Sequence, residues 1–121
     1  MATALRSHTE SVVGMPECRP WNPTWPPRAA DLALAETVCR ELGLGELLGR
    51  MPGGLWQIVG ETGWQLSHGE RSRLFVARAL LQAGDVLVLD ESFASLDPET
   101  LKQALGCVLE RARTVLLIAH P

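Results

Sequence analysis

Two short stretches carry the residues whose types and spacing suit chemistry. Asp90 and Glu91 close the apolar run Val86-Leu87-Val88-Leu89. A run without polar alternation reads as a parallel strand buried on both faces, so it delivers two adjacent carboxylates to a strand end. Such a pair suits nucleotide hydrolysis: the first acid holds a divalent cation and the second orients or deprotonates water. The other stretch is Ser67-His68-Gly69-Glu70, where Ser67 and Glu70 have the spacing of a capping box. A helix that starts there offers amides and a positive dipole end to an anion. His120 follows a second apolar run, Thr114 to Ala119. Taken singly, each of these residues has a plainer reading, as a loop cap or a surface group.

The elements that must position them follow from the same pattern. Asp97 as N-cap and Pro98 as first helical residue open a helix in which Leu101, Ala104, Leu105, Val108, Leu109 and Ala112 recur at helical spacing. Val86 to Ala119 is therefore one strand-helix-strand unit, expected to be right-handed. In such a unit both strands run the same way, so Asp90, Glu91 and His120 emerge at one carboxyl edge, where open α/β sheets bind ligands.

Upstream, the helix capped by Ser67 runs to about Ala83, with Leu74, Ala77 and Leu81 as a core stripe and Arg71, Arg78 and Gln82 on a different face. A third helix spans Asp31 to Leu42, with Ala35, Val38, Cys39 and Leu42 on its apolar side and Gly43 at the stop position. Leu44 to Leu48 adds a turn of helix. Met51-Pro52-Gly53-Gly54 and Gly60-Glu61-Thr62-Gly63 read as turns. The first 27 residues, with the cluster Pro16, Pro20, Pro23, Pro26 and Pro27 and the tryptophans Trp21 and Trp25, sustain neither helix nor central strand.

Composition removes several classes. The chain has 121 residues, 46% of them apolar and 21% charged, enough for one modest core. A net charge of −3 lacks the clustered cations that phosphate backbones need, so no nucleic acid is expected as a partner. Cys18, Cys39 and Cys107 are three, widely spaced, and form no C-x-x-C pair, which argues against a disulfide framework and a zinc site. The longest apolar run is far shorter than the roughly 20 residues of a membrane helix.

Leu66-Ser67-His68-Gly69-Glu70 resembles the signature motif of ABC-type ATPases, LSGGQ in its commonest form, and Arg71 to Leu81 resembles the helix that follows it. Val86 to Glu91 is similar to that family's Walker B strand and catalytic glutamate. Ser95-Leu96-Asp97 resembles its D-loop, His120 its switch histidine, and Gly60-Glu61-Thr62-Gly63 a loop of the exporter-type branch that touches the transmembrane domain. The resemblance runs from about Asp31 to the last residue.

It implies a partial P-loop NTPase, RecA-like α/β core with parallel strands, joined to part of the ABC helical subdomain. The expected division is residues 1–27 irregular, 28–83 helical subdomain with the signature, and 84–121 catalytic core. It further implies ATP and Mg²⁺ as cofactors, Asp90 serving the metal, and Glu91 and His120 as catalytic residues. Ser67, His68, Gly69 and Glu70 would contact nucleotide held by a second ABC nucleotide-binding domain in a head-to-tail dimer. Ser95, Leu96 and Asp97 would couple the two sites, with the Glu61 region touching a transmembrane domain at the cytoplasmic face of the membrane. His68 and Glu70 depart from the usual Gly and Gln.

The family's P-loop, G-x-x-x-x-G-K-[ST], has no counterpart. The one lysine, Lys102, is followed by Gln103 and preceded by no glycine loop. The reading is thus an ATPase subunit of an ABC transporter, present as a carboxyl-side fragment and inactive alone. The alternatives are a non-catalytic module lending its signature in trans, and an SMC-like or DNA-repair ABC ATPase, which the missing heptads, the low basic charge and the exporter-like loop at Glu61 disfavour.

Overall fold

In the computed structural model, residues 29–60, 63–82 and 85–119 are described. The elements are α1 (Ala29–Glu41), α2 (Gly45–Arg50), a single 3₁₀ turn (Gly54–Trp56), α3 (His68–Leu81), β1 (Leu87–Asp90), α4 (Pro98–Arg111) and β2 (Val115–Ile118). The proline- and tryptophan-rich start, the Glu61 loop residue and His120 lie outside the described residues.

β1 and β2 pair in parallel, Leu87 opposite Val115 through to Asp90 opposite Ile118, with α4 as the crossover. Local chemistry sets the helix starts. Asp97 caps α4 by accepting from the Thr100 amide at 3.0 Å and hydroxyl at 2.7 Å, and Pro98 supplies the preset φ of the first turn. Gly43 ends the α1 turn with φ 75°, a left-handed conformation that costs glycine nothing.

A single core joins the helices to the strands. Val38, Cys39 and Leu42 from α1, Leu74, Val76 and Ala77 from α3, Leu87 and Leu89 from β1, and Ala104, Cys107 and Val108 from α4 are all buried in it. It therefore draws on residues on both sides of position 83.

Four expectations are corrected by the packing. Arg78 is buried, 5% exposed, because α1 lies over that part of α3, where the guanidinium charge is felt by the Cys39 thiol. On α4 the buried stripe is rotated: Cys107 is inside and Leu109 is 69% exposed. α3 closes at Leu81, with Gln82 as its C-cap. Finally, neither strand is covered on both faces. In β1, Leu87 and Leu89 are buried and Val88 and Asp90 half-buried, while Leu116, Leu117 and Ile118 of β2 are exposed. The described sheet has two strands, so helices cover one side of β1, and the second face that an unbroken apolar run calls for is only partly covered among the described residues.

Arg73 ties α3 to the end of α1. Its guanidinium donates to the carbonyls of Gly69 at 3.1 Å, Gly43 at 2.9 Å and Leu42 at 3.3 Å. The Leu42 and Gly43 carbonyls stand at the C-terminal end of α1, where carbonyls lack intrahelical partners. Replacing Arg73 with methionine keeps the aliphatic stem and removes the donors, so it is expected to lower stability by about 1.5–3 kcal/mol, read as the urea midpoint. An unchanged midpoint would mean that water serves those carbonyls equally well.

Candidate functional site

The start of α3 is organised by a complete capping box. Ser67 Oγ accepts from the Glu70 amide at 3.1 Å, and the Glu70 carboxylate accepts from the Ser67 amide at 2.9 Å. The Arg71 amide takes the Ser67 carbonyl at 2.9 Å. The amides of the first two helical residues, His68 and Gly69, are then the ones with no intrahelical partner, at the positive end of the helix. Because the cap uses an acceptor lone pair of Ser67 Oγ, its O–H remains able to donate. Both Ser67 and His68 are exposed.

Glu70 has a further partner. Arg50, the last residue of α2, donates to its carboxylate. Burial pushes the Glu70 carboxyl up, but the Ser67 amide and the Arg50 guanidinium outweigh it and hold the group below the usual carboxylate range. The charged form persists at the helix start.

This end of α3 is fastened to the loop that follows β1. Ser72 Oγ and Ser95 Oγ lie 3.1 Å apart in a hydroxyl–hydroxyl hydrogen bond. A Cβ on Gly69 would come within 3.3 Å of Leu96 Cδ2 and 3.8 Å of the Ser95 carbonyl, so a glycine lets the loop sit close to the helix. Asp97, next in the chain, spends its carboxylate on the α4 cap, and the Thr100 hydroxyl and amide hold that carboxyl low.

Asp90 and Glu91 stand at the other end of the same loop. Asp90 is half-buried at the carboxyl end of β1, and Glu91 is exposed. The Glu91 amide extends the parallel pairing by donating to the Ile118 carbonyl at 2.9 Å, after which the chain turns with φ 50° at Glu91. The turn is closed by the Ala94 amide on the Glu91 carbonyl at 3.2 Å. Ser92 and Phe93, 8% and 9% exposed, anchor the loop in the core. A non-glycine residue in the left-handed region is uncommon and gathers at functional sites, where the surroundings over-determine it.

The structure therefore brings Gly69 and Ser72 of α3 against Leu96 and Ser95, keeps Ser67 and Glu70 paired at the helix start, and places Asp90 and Glu91 at the head of the connecting loop. Sequence reasoning missed Arg50, Ser72 and Phe93. The one available signal was Glu70 itself: an acid where the resemblance leads one to expect a neutral amide calls for a nearby cation. Nothing in the 20-residue spacing points to Arg50. Among the described residues no group of three or more His, Cys, Asp or Glu side chains could hold a metal by itself, and no helix is long and apolar enough to cross a membrane.

Parallel strands joined by a helix, with acids at the carboxyl edge and a capped helix start locked to the following loop, define a P-loop NTPase type of α/β core. Comparison with known proteins sharpens this. A family model described as "ABC transporter" matches residues 16–94, and the chain belongs to the ABC transporter family. It is 49% identical over 77 residues to the ATP-dependent lipid A-core flippase of Nitrosococcus oceani, covering 62% of this chain and 13% of that protein. To the mycobactin import ATP-binding/permease protein of Mycobacterium tuberculosis it is 42% identical over 96 residues, covering 78% and 16%. A solved structure of a bacterial Atm1-family ABC exporter with ATP bound superposes with a TM-score of 0.63 at 31% identity, covering 74% of this chain and 16% of that one. The chain thus spans about one-seventh of the length of these relatives.

Proposed function

We propose that this chain is the carboxyl-side part of the ATP-binding unit of an exporter-type ABC transporter, and that its α3 start receives the terminal phosphate of ATP held by a second nucleotide-binding domain. The observation that carries the reading is the join between the capped start of α3 and the loop after β1, through Ser72–Ser95 and Gly69–Leu96. It makes the anion-receiving end and the acid-bearing loop one mechanical unit.

Within that unit Ser67 donates its hydroxyl, and His68 and Gly69 their amides, to a phosphate oxygen; Glu70 completes the cap. Ser95, Leu96 and Asp97 carry the position of α3 to the head of α4. Glu91 accepts a proton from the attacking water, and His120 donates to the terminal phosphate. A bound Mg²⁺ would neutralise charge on the phosphate oxygens. Mg²⁺ keeps several waters and takes only one or two carboxylates, so Asp90 at the strand end would serve as its protein ligand. The triphosphate itself must be gripped elsewhere in the assembly, since this sequence contains no P-loop.

Residues 28–83 then form the helical-subdomain part and 84–121 the core part, with the Glu61 region turned toward a transmembrane domain at the cytoplasmic face. What the relatives move, lipid A-core and mycobactin, assigns no substrate here.

The test is association with a P-loop-bearing ABC nucleotide-binding domain, followed by analytical ultracentrifugation. A complex is expected with Mg-ATP and not without it, while calorimetric titration of the chain alone with Mg-ATP gives weak or no heat. Tight binding by the chain alone, or no ATP-dependent complex, would overturn the reading.

A further inference from the structure

Glu70 presents an electrostatic problem that the fold answers. An acid in the first turn steadies the helix by complementing its dipole, but the same charge opposes any anion approaching the amides of His68 and Gly69. The carboxylate is fixed there: its side chain is 15% exposed and bound to the Ser67 amide at 2.9 Å. Among the described residues the cation on it is Arg50, which reaches across 20 residues of sequence from the end of α2. Arg50 is itself well placed for this. Leu47 and Met51, on either side of it, are 2% and 3% exposed, so its backbone is pinned to the core while its side chain stays 55% exposed.

We propose that Arg50 is a positioning residue for the phosphate site at the start of α3: by pairing with Glu70 it cancels the carboxylate's charge beside the amides of His68 and Gly69, so that this helix start accepts an anion despite carrying an acid. The identity of that anion as ATP phosphate rests on the function proposed above; the role of Arg50 does not. Arg50 acts through Glu70 and need not touch the anion.

The probe is sodium tripolyphosphate titrated into the whole chain, with the amide resonances of His68 and Gly69 as the readout. Arg50→Gln is expected to weaken the anion roughly three- to ten-fold, the size of one charge at a helix terminus. Arg50→Lys, which keeps the charge, retains most of the affinity. Glu70→Gln keeps the capping box and removes the charge that Arg50 offsets, so adding it to Arg50→Gln recovers most of the affinity that Arg50→Gln alone loses. If Arg50 contacted the anion directly, or merely held α2 against α3, the double variant would stay as weak as Arg50→Gln, and the proposal would fail. It would fail equally if Arg50→Gln bound unchanged, or if the wild type showed no saturable shift at these two amides. A wild type that binds tripolyphosphate with the predicted pattern yet forms no Mg-ATP-dependent complex leaves the role of Arg50 standing and overturns the proposed function alone.

Discussion

Substituting glutamine for Glu91, in an assembly that joins this segment to a P-loop, is expected to lower ATP turnover by about 10²–10⁴-fold, the usual worth of a general base, while Mg-ATP-driven association of the two domains persists. The backbone at this position is held independently of the side chain. Glu91 is exposed, and its backbone is held by the amide bond to the Ile118 carbonyl and by the turn closed at Ala94. The φ of 50° costs about 1–3 kcal/mol in any non-glycine residue and is the same for both side chains. Glutamine therefore keeps the turn and the size of the side chain and exchanges the carboxylate for a neutral amide. Phosphate release measures the first part and size-exclusion chromatography with Mg-ATP the second. Undiminished turnover would remove Glu91 from the role of base and shift attention to Asp90 and His120.

Raising the pH is expected to unfold the chain through its two buried thiols. Cys39 is fully buried, and burial pushes its thiol from 9.0 up to about 11, with Arg78 opposing and Cys107 and Glu36 reinforcing the rise. Cys107 is also pushed up to about 11, by burial and by its hydrogen bond to Glu41. A folded thiol that keeps its proton to higher pH than the unfolded one contributes its full stability below about pH 9. That contribution is lost as pH climbs to about 11. For Cys39 a rise of this size corresponds to about 2–3 kcal/mol, and Cys107 adds in the same direction. Urea denaturation at stepped pH values should show stability level to about pH 9 and falling beyond it. The Cys39→Ala, Cys107→Ala double variant should lack most of that decline; an identical decline would place the alkaline-sensitive group elsewhere.

The two thiols also show where pattern and packing part company. Cys39 was placed inside by the helical period of α1, because a period of 3.6 puts it beside Val38 and Leu42 whatever the partner is. Cys107 was not, because the α4 period admits two adjoining stripes, and the turn of α4 against α1 chose the one containing Cys107 and left Leu109 in solvent. The Glu41–Arg111 ion pair, at 2.6 and 2.7 Å, joins the same two helices. Arg78 illustrates the same limit: an arginine on the polar side of an isolated helix becomes interior once α1 covers it.

The candidate site divides along the same line. The capping box of Ser67 and Glu70, the Asp97-Pro98 helix start and the delivery of Asp90 and Glu91 to a strand end were all legible, since each depends on residues within a few positions of one another. The strand-helix-strand order and the family were legible for the same reason, as an ordered series of local motifs. Only the tertiary structure joined Ser72 to Ser95, set Leu96 against Gly69, and carried Arg50 to Glu70. Those contacts span 23, 27 and 20 residues and are decided by how helices and loops dock. Only the tertiary structure, too, showed that the apolar run of β2 faces solvent here. The run records a need for cover on both faces, which the sequence states by itself. Whether anything meets that need depends on which other elements lie alongside, and among the described residues the neighbour is β1 alone.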